Sequence, residues 1–377
     1  MAMFPVLDLV GTASERGRMH GALAKRRVER SIANYRSLFE SCGIGWSDAQ
    51  RLGHGYRDVI GDFAPALLAE IEGIAAGAGR AADEILALNA RTEILPPTFP
   101  DKPSAEWLAS RLGRTADFGE CTAIAVSPAR SASGETLLAQ NWDWFGAQRD
   151  ALVLLRLRGE DGSACLTLTE AGMLAKIGCN DRGFGVCLNI LRSADDGAAP
   201  GGPVHVLLRA LLDCGSVREA VQRVRGLRLG ASSNVLCADR GGDSAALELS
   251  PVGAHVVRGT DGTLCHTNHF LAPEAQRAAV ALPASLSSTP RLACALRHAK
   301  GAQTLDVGSL QRLLRDETDG LLSVCRHPDP SLPEEARLET VASVIMELAR
   351  GVMHVAPDMP TRVAYELVAL SPEAVTV

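Results

Sequence analysis

The chain has 377 residues, 46% of them hydrophobic, with 38 basic against 44 acidic side chains and a formal charge of −6. That apolar content supports a substantial core, in one large domain or two modest ones, as in an ordinary globular protein. The mild acidity gives no electrostatic footprint for nucleic acid or an anionic membrane, and no apolar stretch approaches the length that spans a bilayer.

Residues 1–10 lack a basic region followed by an apolar run, so no secretory leader is expected and cytoplasmic residence is the default. Residues 14–42 and 50–78 carry apolar side chains at helical spacing in Ala-rich sequence, so the first third reads as mostly α. Pro96, Pro97, Pro100 and Pro103 follow, and then the polar stretch 111–118, which reads as an exposed linker. From Cys121 the pattern changes to short apolar strands between Gly, Asp and Ser, at 122–126, 136–140, 152–157, 165–169, 184–188, 233–238, 245–249 and 255–258. Late strands are expected at 341–348, 352–355 and 361–368, and helices at 204–213, 217–225 and 289–298. Runs of strands with helices grouped between them argue for an α+β fold of packed sheets covered by helices. The sequence has no internal repeat or low-complexity tract. Ten cysteines lie scattered through apolar runs without a Cys-x-x-Cys pair, and read as buried thiols in a reducing compartment.

Cys121 opens the segment Cys121-Thr122-Ala123-Ile124-Ala125-Val126, with Gln140-Asn141-Trp142-Asp143-Trp144 about twenty residues on. A thiol there can attack the carbonyl of Glu120, and hydrolysis of the resulting thioester frees the α-amine of Cys121. That amine titrates near neutral pH and can serve its own thiol as general base. By itself, a cysteine opening a strand reads as a small buried hydrophobe.

The wider pattern resembles the acyl-coenzyme A:6-aminopenicillanic acid acyltransferase family, N-terminal nucleophile enzymes of the peptidase C45 type that include β-alanyl-amine hydrolases. The residues that carry the resemblance are Gly11-Thr12 through His20-Gly21, Glu70 through Ala78, Leu88-Asn89-Ala90-Arg91-Thr92-Glu93, Cys121-Thr122, Gln140-Asn141-Trp142-Asp143, Thr169-Glu170-Ala171-Gly172 and His266-Thr267-Asn268-His269. It implies a four-layer αββα sandwich with a helical N-terminal segment. It also implies self-cleavage into an α chain, 1–120, and a β chain, 121–377, that together form one structural domain. Penicillin acyltransferases carry glycine before the nucleophile, where this chain has Glu120, a bulkier residue that restricts strained backbone.

Asp143 alone reads as a turn aspartate just after a strand; the resemblance implies an active-site carboxylate. Asn189, at the end of the strand 184–188, reads either as a strand-end cap or, by similarity, as a donor to a tetrahedral oxyanion. The resemblance makes Asn268 a second oxyanion donor. His266 and His269, three apart, lack a third ligand at metal spacing, so no metal and no cofactor are expected. Arg337 resembles an active-site arginine and reads equally as part of a solvated charged turn. Trp142 and Trp144 suggest either core packing or the wall of an acyl pocket, and Glu170 joins them as a candidate substrate-binding residue. Gly183-x-Gly185 precedes a strand and reads as a turn.

The expected activity is cleavage of a non-peptide or N-acyl amide through a thioester on Cys121. Acyl-coenzyme A-dependent transfer is the alternative, since transfer needs a site that excludes water. The chain's last residues lack the small-basic-leucine tripeptide of peroxisomal enzymes. An uncleaved, silent small-molecule binder is the reading from another class. The expected partners are a small-molecule amide and the self-derived α/β heterodimer, open to further oligomerisation.

Overall fold

A computed structural model describes residues 2–95, 120–197, 201–277, 279, 287–334 and 337–371, with Glu120 placed by its backbone alone. The expected linker at 111–118 and the proline-rich stretch before it lie outside the described residues.

The chain starts with strand β1 (Val6–Val10) and seven helices: α1 (Ala13–Leu23), α2 (Lys25–Ser41), α3 (Trp46–His54), α4 (Arg57–Phe63), α5 (Pro65–Ala78), α6 (Ala82–Asn89) and α7 (Arg91–Ile94). Thr12 caps α1: Glu15 N donates to Thr12 Oγ1 (3.3 Å), while Thr12 N donates back to Glu15 Oε2 (2.8 Å). The helical spacing over 14–42 is carried by two helices that part at Ala24, where the backbone leaves helical geometry. Helices α1 and α5 meet backbone to backbone along Gly17, Gly21, Gly73 and Gly77. A Cβ on Gly21 would lie 2.1 Å from Ile74 O, and one on Gly77 2.1 Å from Arg18 O. Across this seam Arg16 Nη2 donates to Glu70 Oε2 (3.0 Å).

The rest of the chain supplies β2 (Glu120–Val126), β3 (Leu137–Phe145), β4 (Leu152–Arg158), β5 (Ala164–Glu170), β6 (Ile177–Asn180), β7 (Phe184–Ile190), α8 (Val204–Leu211), α9 (Val217–Val224), β8 (Ser233–Asp239), β9 (Ser244–Ser250), β10 (Gly253–Val257) and β11 (Thr263–His266). Then come α10 (Ser288–Lys300), α11 (Val307–Leu314), β12 (Leu338–Glu347), β13 (Val352–Ala356) and β14 (Glu366–Ala369). One sheet has the order β1-β4-β5-β6-β7-β8-β9-β10 and the other β11-β2-β3-β12-β13-β14. Every pairing is antiparallel except β1 with β4, so the N-terminal segment contributes a parallel edge strand to the larger sheet.

The layers are helix, sheet, sheet, helix. Alternation along β2 and β3 sorts their side chains: Cys121, Ala123, Ala125, Leu138 and Trp142 join the core shared with the large sheet, whereas Ile124, Val126, Leu137 and Ala139 pack under α10 and α11. On the far side, α1 lies against β1, and α9 against β8 and β9. Strands β3, β7 and β12 run past their expected ends through buried polar residues: β3 continues through Asp143 to Phe145, β7 includes Asn189, and β12 starts at Leu338. Strand β14 is shorter than expected, since residues 360–363 turn instead. Gly183, with φ +77°, makes the β6–β7 turn. Among the described residues no helix is long and apolar enough to cross a membrane.

Candidate active site

Four residues of Gln140-Asn141-Trp142-Asp143 alternate across the sheet, and each has a separate task. Gln140 bridges the two sheets, with its Nε2 donating to Leu188 O (2.5 Å) and its Oε1 accepting from Leu188 N (3.0 Å). Asn141 faces the other way and donates to Leu314 O and Val324 O, pinning the helical layer (2.8 and 3.0 Å). Trp142 is paired in register with Cys121, and Asp143 with Glu120. The thiol and the Trp142 ring therefore share the face between the sheets, while the Asp143 carboxylate leaves from the opposite face.

Three polar side chains converge on the main chain of Cys121. Cys121 N donates to Asn268 Oδ1 (2.7 Å), and Cys121 O accepts from Asn189 Nδ2 (3.0 Å) and Arg291 Nη1 (2.6 Å). Arg291, fully buried on α10, also donates to Thr122 Oγ1 (2.9 Å) and to Asn268 Oδ1 (2.9 Å). Asn268 Nδ2 donates to Ile190 O (2.9 Å), which fixes the amide orientation from both ends. Asn234 Nδ2 orients Asn189 by donating to its Oδ1 (3.0 Å). So Asn268 presents an acceptor to the Cys121 nitrogen and its amide protons go to Ile190, unlike the donor expected from sequence. Asn189 is the side-chain amide whose N–H faces Cys121.

Arg337 is not part of this group: its Nε donates to Leu332 O (2.8 Å) and its Nη2 to Pro330 O (3.3 Å), so it braces the loop before β12. The arginine that reaches Cys121 is Arg291. The signal for it is its spacing, since Arg291 shares the buried stripe of its helix with Cys294, Ala295 and Ala299.

Asp143 is fully buried, with Oδ1 accepting from Thr340 Oγ1 (2.7 Å) and Oδ2 without a hydrogen bond. Burial raises its pKa to about 7, against the pull of Arg291 and the Thr340 hydrogen bond. The Cys121 thiol is also raised, first by burial and then by Asp143, while Lys176, the Asp143 N–H and Arg291 favour the thiolate. Arg291 stands on the helix side of Cys121, and Lys176 lies between the sheets.

On the thiol's side, Trp142 and Trp144 are packed in the core and stacked with cations. Lys176 Nζ lies 3.6 Å from the Trp142 ring centroid, and the Arg91 guanidinium 4.7 Å from that of Trp144. Glu170 ends β5 among these groups, accepting from Tyr35 Oη (2.6 Å) and lying 3.6 Å from Arg91 Nη2 and 3.9 Å from Lys176 Nζ. His266 and His269 have separate partners, Glu248 Oε1 (2.9 Å) and Ser288 Oγ (2.7 Å). All ten cysteines are free and buried.

Residues 130–361 match the family model described as acyl-coenzyme A:6-aminopenicillanic acid acyl-transferase. The chain belongs to this family. The matched span contains Asp143, Asn189, Asn268 and Arg291. Across 322 residues the chain is 30% identical to the acyl-coenzyme A:6-aminopenicillanic-acid-acyltransferase 40 kDa form of Emericella nidulans, covering 84% of this chain and 83% of that protein. Similar solved structures are a conjugated bile acid hydrolase from Clostridium perfringens (14% identity, 66% of this chain and 96% of that one, TM-score 0.44) and penicillin V acylase from Agrobacterium tumefaciens (15%, 67% and 89%, TM-score 0.45). As a member of this family, the protein is an enzyme that acts on amides.

Proposed function

We propose that this chain is a cysteine N-terminal nucleophile amidohydrolase that cuts itself between Glu120 and Cys121 and then cleaves an N-acyl amide through a thioester on Cys121. The observation that carries the reading is the convergence of Asn268, Asn189 and Arg291 on the main chain of Cys121. The pairing with β11 stops at Ala123, so these three buried side chains take the place of a strand partner at the Cys121 N–H and C=O.

After the cut, the freed amine stays against Asn268 Oδ1 and accepts the thiol proton. The thiolate adds to the substrate carbonyl, with Asn189 Nδ2 as a donor for the developing oxyanion. The amine then protonates the departing nitrogen, and water resolves the thioester. Arg291 keeps Asn268 aimed by occupying the same Oδ1. The likeness to the Emericella nidulans acyltransferase favours a second reading, transfer of the acyl group to or from coenzyme A, which shares the acyl thioester on Cys121. In either case the partners include a small-molecule amide and the α/β pair formed by the cut, with coenzyme A as a further substrate in the second reading, and the setting is cytoplasmic.

Intact-mass measurement tests this directly. Wild type should give two polypeptides meeting at 120/121, and Cys121→Ala one full-length chain. During turnover of a chromogenic N-acyl amide, the acyl mass should appear on the fragment that begins at Cys121. An alanine variant that is still cut at that bond, or that still turns over substrate, would remove Cys121 from the chemistry.

A further inference from the structure

We propose that Lys176 takes the thiol proton of Cys121 during self-cleavage. The inference rests on the self-cleavage reading above and addresses a gap in it. Before the cut, the nitrogen of Cys121 is an amide, donating to Asn268, and cannot act as a base. The base for the first reaction must be a different group from the base for every later turnover.

Among the described residues, the charged groups that act on the thiol include Asp143, Lys176 and Arg291. Arg291 stays protonated at any working pH. Asp143 leaves the opposite face of the sheet, toward Thr340. Lys176 is on the thiol's own side, over the ring of Trp142, the cross-strand neighbour of Cys121. Its Nζ is 3.9 Å from Glu170 Oε2, beyond hydrogen-bond reach, so that pair does not lock the proton in place.

The position of Lys176 is held by residues that the sequence pattern singles out without giving them chemistry. Asn89 Nδ2 donates to Gly172 O (2.9 Å), its Oδ1 accepts from Leu174 N (3.0 Å), and His20 Nε2 accepts from Gly172 N (3.1 Å). Lys176 N itself donates to Thr167 Oγ1 (3.3 Å). The groups that face the amine are Glu170 from β5, Arg91 from α7, Cys121 from β2 and His205 from α8, with Tyr35 of α2 holding Glu170. Burial and Arg91 outweigh Glu170 and Cys121 and lower the Lys176 pKa to about 7, so a large share is neutral amine near neutrality.

In the step itself, Nζ takes the S–H proton and the thiolate adds to the Glu120 carbonyl carbon. The tetrahedral oxyanion collapses, the C–N bond to Cys121 breaks, and the departing nitrogen receives the proton back from the Lys176 ammonium. Water then hydrolyses the thioester, leaving a carboxyl group on Glu120 and a thiol on Cys121.

Full-length chain made by cell-free synthesis allows the cut to be followed by intact mass from pH 5.5 to 9. The wild-type rate should rise with pH through about 7. Lys176→Met, and Lys176→Arg, which keeps a cation but cannot accept a proton, should each be slower by about a hundredfold or more and lose that inflection. Circular dichroism melting shows that the variants fold, and methylamine should restore cleavage in Lys176→Ala in proportion to its free-base fraction. A folded Lys176→Met chain cut at the wild-type rate and pH profile overturns the proposal. If the wild type is not cut at all, the self-cleavage reading fails. The pH profile of Cys121 alkylation by iodoacetamide then decides the role of Lys176: an inflection near 7 that Lys176→Met loses upholds proton transfer, and identical profiles overturn it.

Discussion

Asp143 shows how one buried group sets stability against function. Its pKa is about 7 in the folded chain and 3.8 for an ordinary solvated aspartate, so between those values the folded state holds the proton that the unfolded state has lost. Stability from this group is present below pH 3.8 and declines as pH rises toward 7. Asp143→Asn keeps an acceptor for Thr340 Oγ1 and removes the titration. Relative to wild type, its melting temperature should therefore be higher at pH 8 than at pH 5, and loss of a carboxylate that raises the Cys121 thiol from the other face of the sheet should let the thiolate form more readily. An equal difference at both pH values would mean that the carboxylate is not held protonated. The residue scale also shows what a linear motif can and cannot reveal. Cys121, Asp143 and Asn268 are legible because each lies in a short distinctive string, and Asn189 because it ends an apolar strand. Arg291 and Lys176 are not: the first depends on which face of its helix is buried, and the second, in the turn before β6, meets its neighbours only in the fold. Asn268 is legible as a site residue but not in its polarity, since only its neighbours Ile190 and Arg291 decide which end of the amide faces Cys121.

At the scale of elements, the glycines of the N-terminal motifs are contact surfaces. Gly17 and Gly21 of α1 face Gly73 and Gly77 of α5, and each leaves space that another helix backbone already fills. Gly21→Ala or Gly77→Ala forces the helices apart and should cost about 1–3 kcal/mol or more. Gly61→Ala is the control: its Cβ would meet nothing nearer than Leu68 Cδ2 at 3.4 Å, and helix propensity favours alanine there by up to about 1 kcal/mol. Urea unfolding of the three variants tests this, and a Gly21→Ala chain as stable as Gly61→Ala would show that the seam can relax. The helical character of this region is legible from periodicity, and so are most of the strands. Strand β1 is not, because five residues carry little pattern and its partner β4 is more than 140 residues away. Asp143 reads as a turn residue for a related reason: a buried carboxylate inside a strand violates the expectation that strands alternate between apolar and solvated positions.

Across the whole molecule, the bond expected to break joins two parts that are already interlocked. Strand β1 is hydrogen-bonded into the large sheet beside β4, with Leu7 opposite Leu155. Arg27 Nη1 donates to Asp150 O (2.6 Å), Tyr35 Oη to Glu170 Oε1 (2.6 Å), and Val204 N to Glu93 Oε1 (2.9 Å). One core runs through both parts, from Val28, Ile32 and Phe39 to Leu154, Leu168 and Phe184. Release of residues 1–120 would expose that apolar surface and strip partners from buried groups, Glu170 and Glu93 among them, a cost far larger than the single peptide bond's contribution to chain entropy. The α and β chains should therefore stay together after the cut. Native mass spectrometry should give the summed mass, denaturing electrophoresis two bands, and thermal melting one cooperative transition followed by irreversible loss. A segment 1–120 that leaves the particle under native conditions would show that these contacts do not survive cleavage, and that Lys176 and Glu170 are not held by α1, α2 and α7 in the working enzyme.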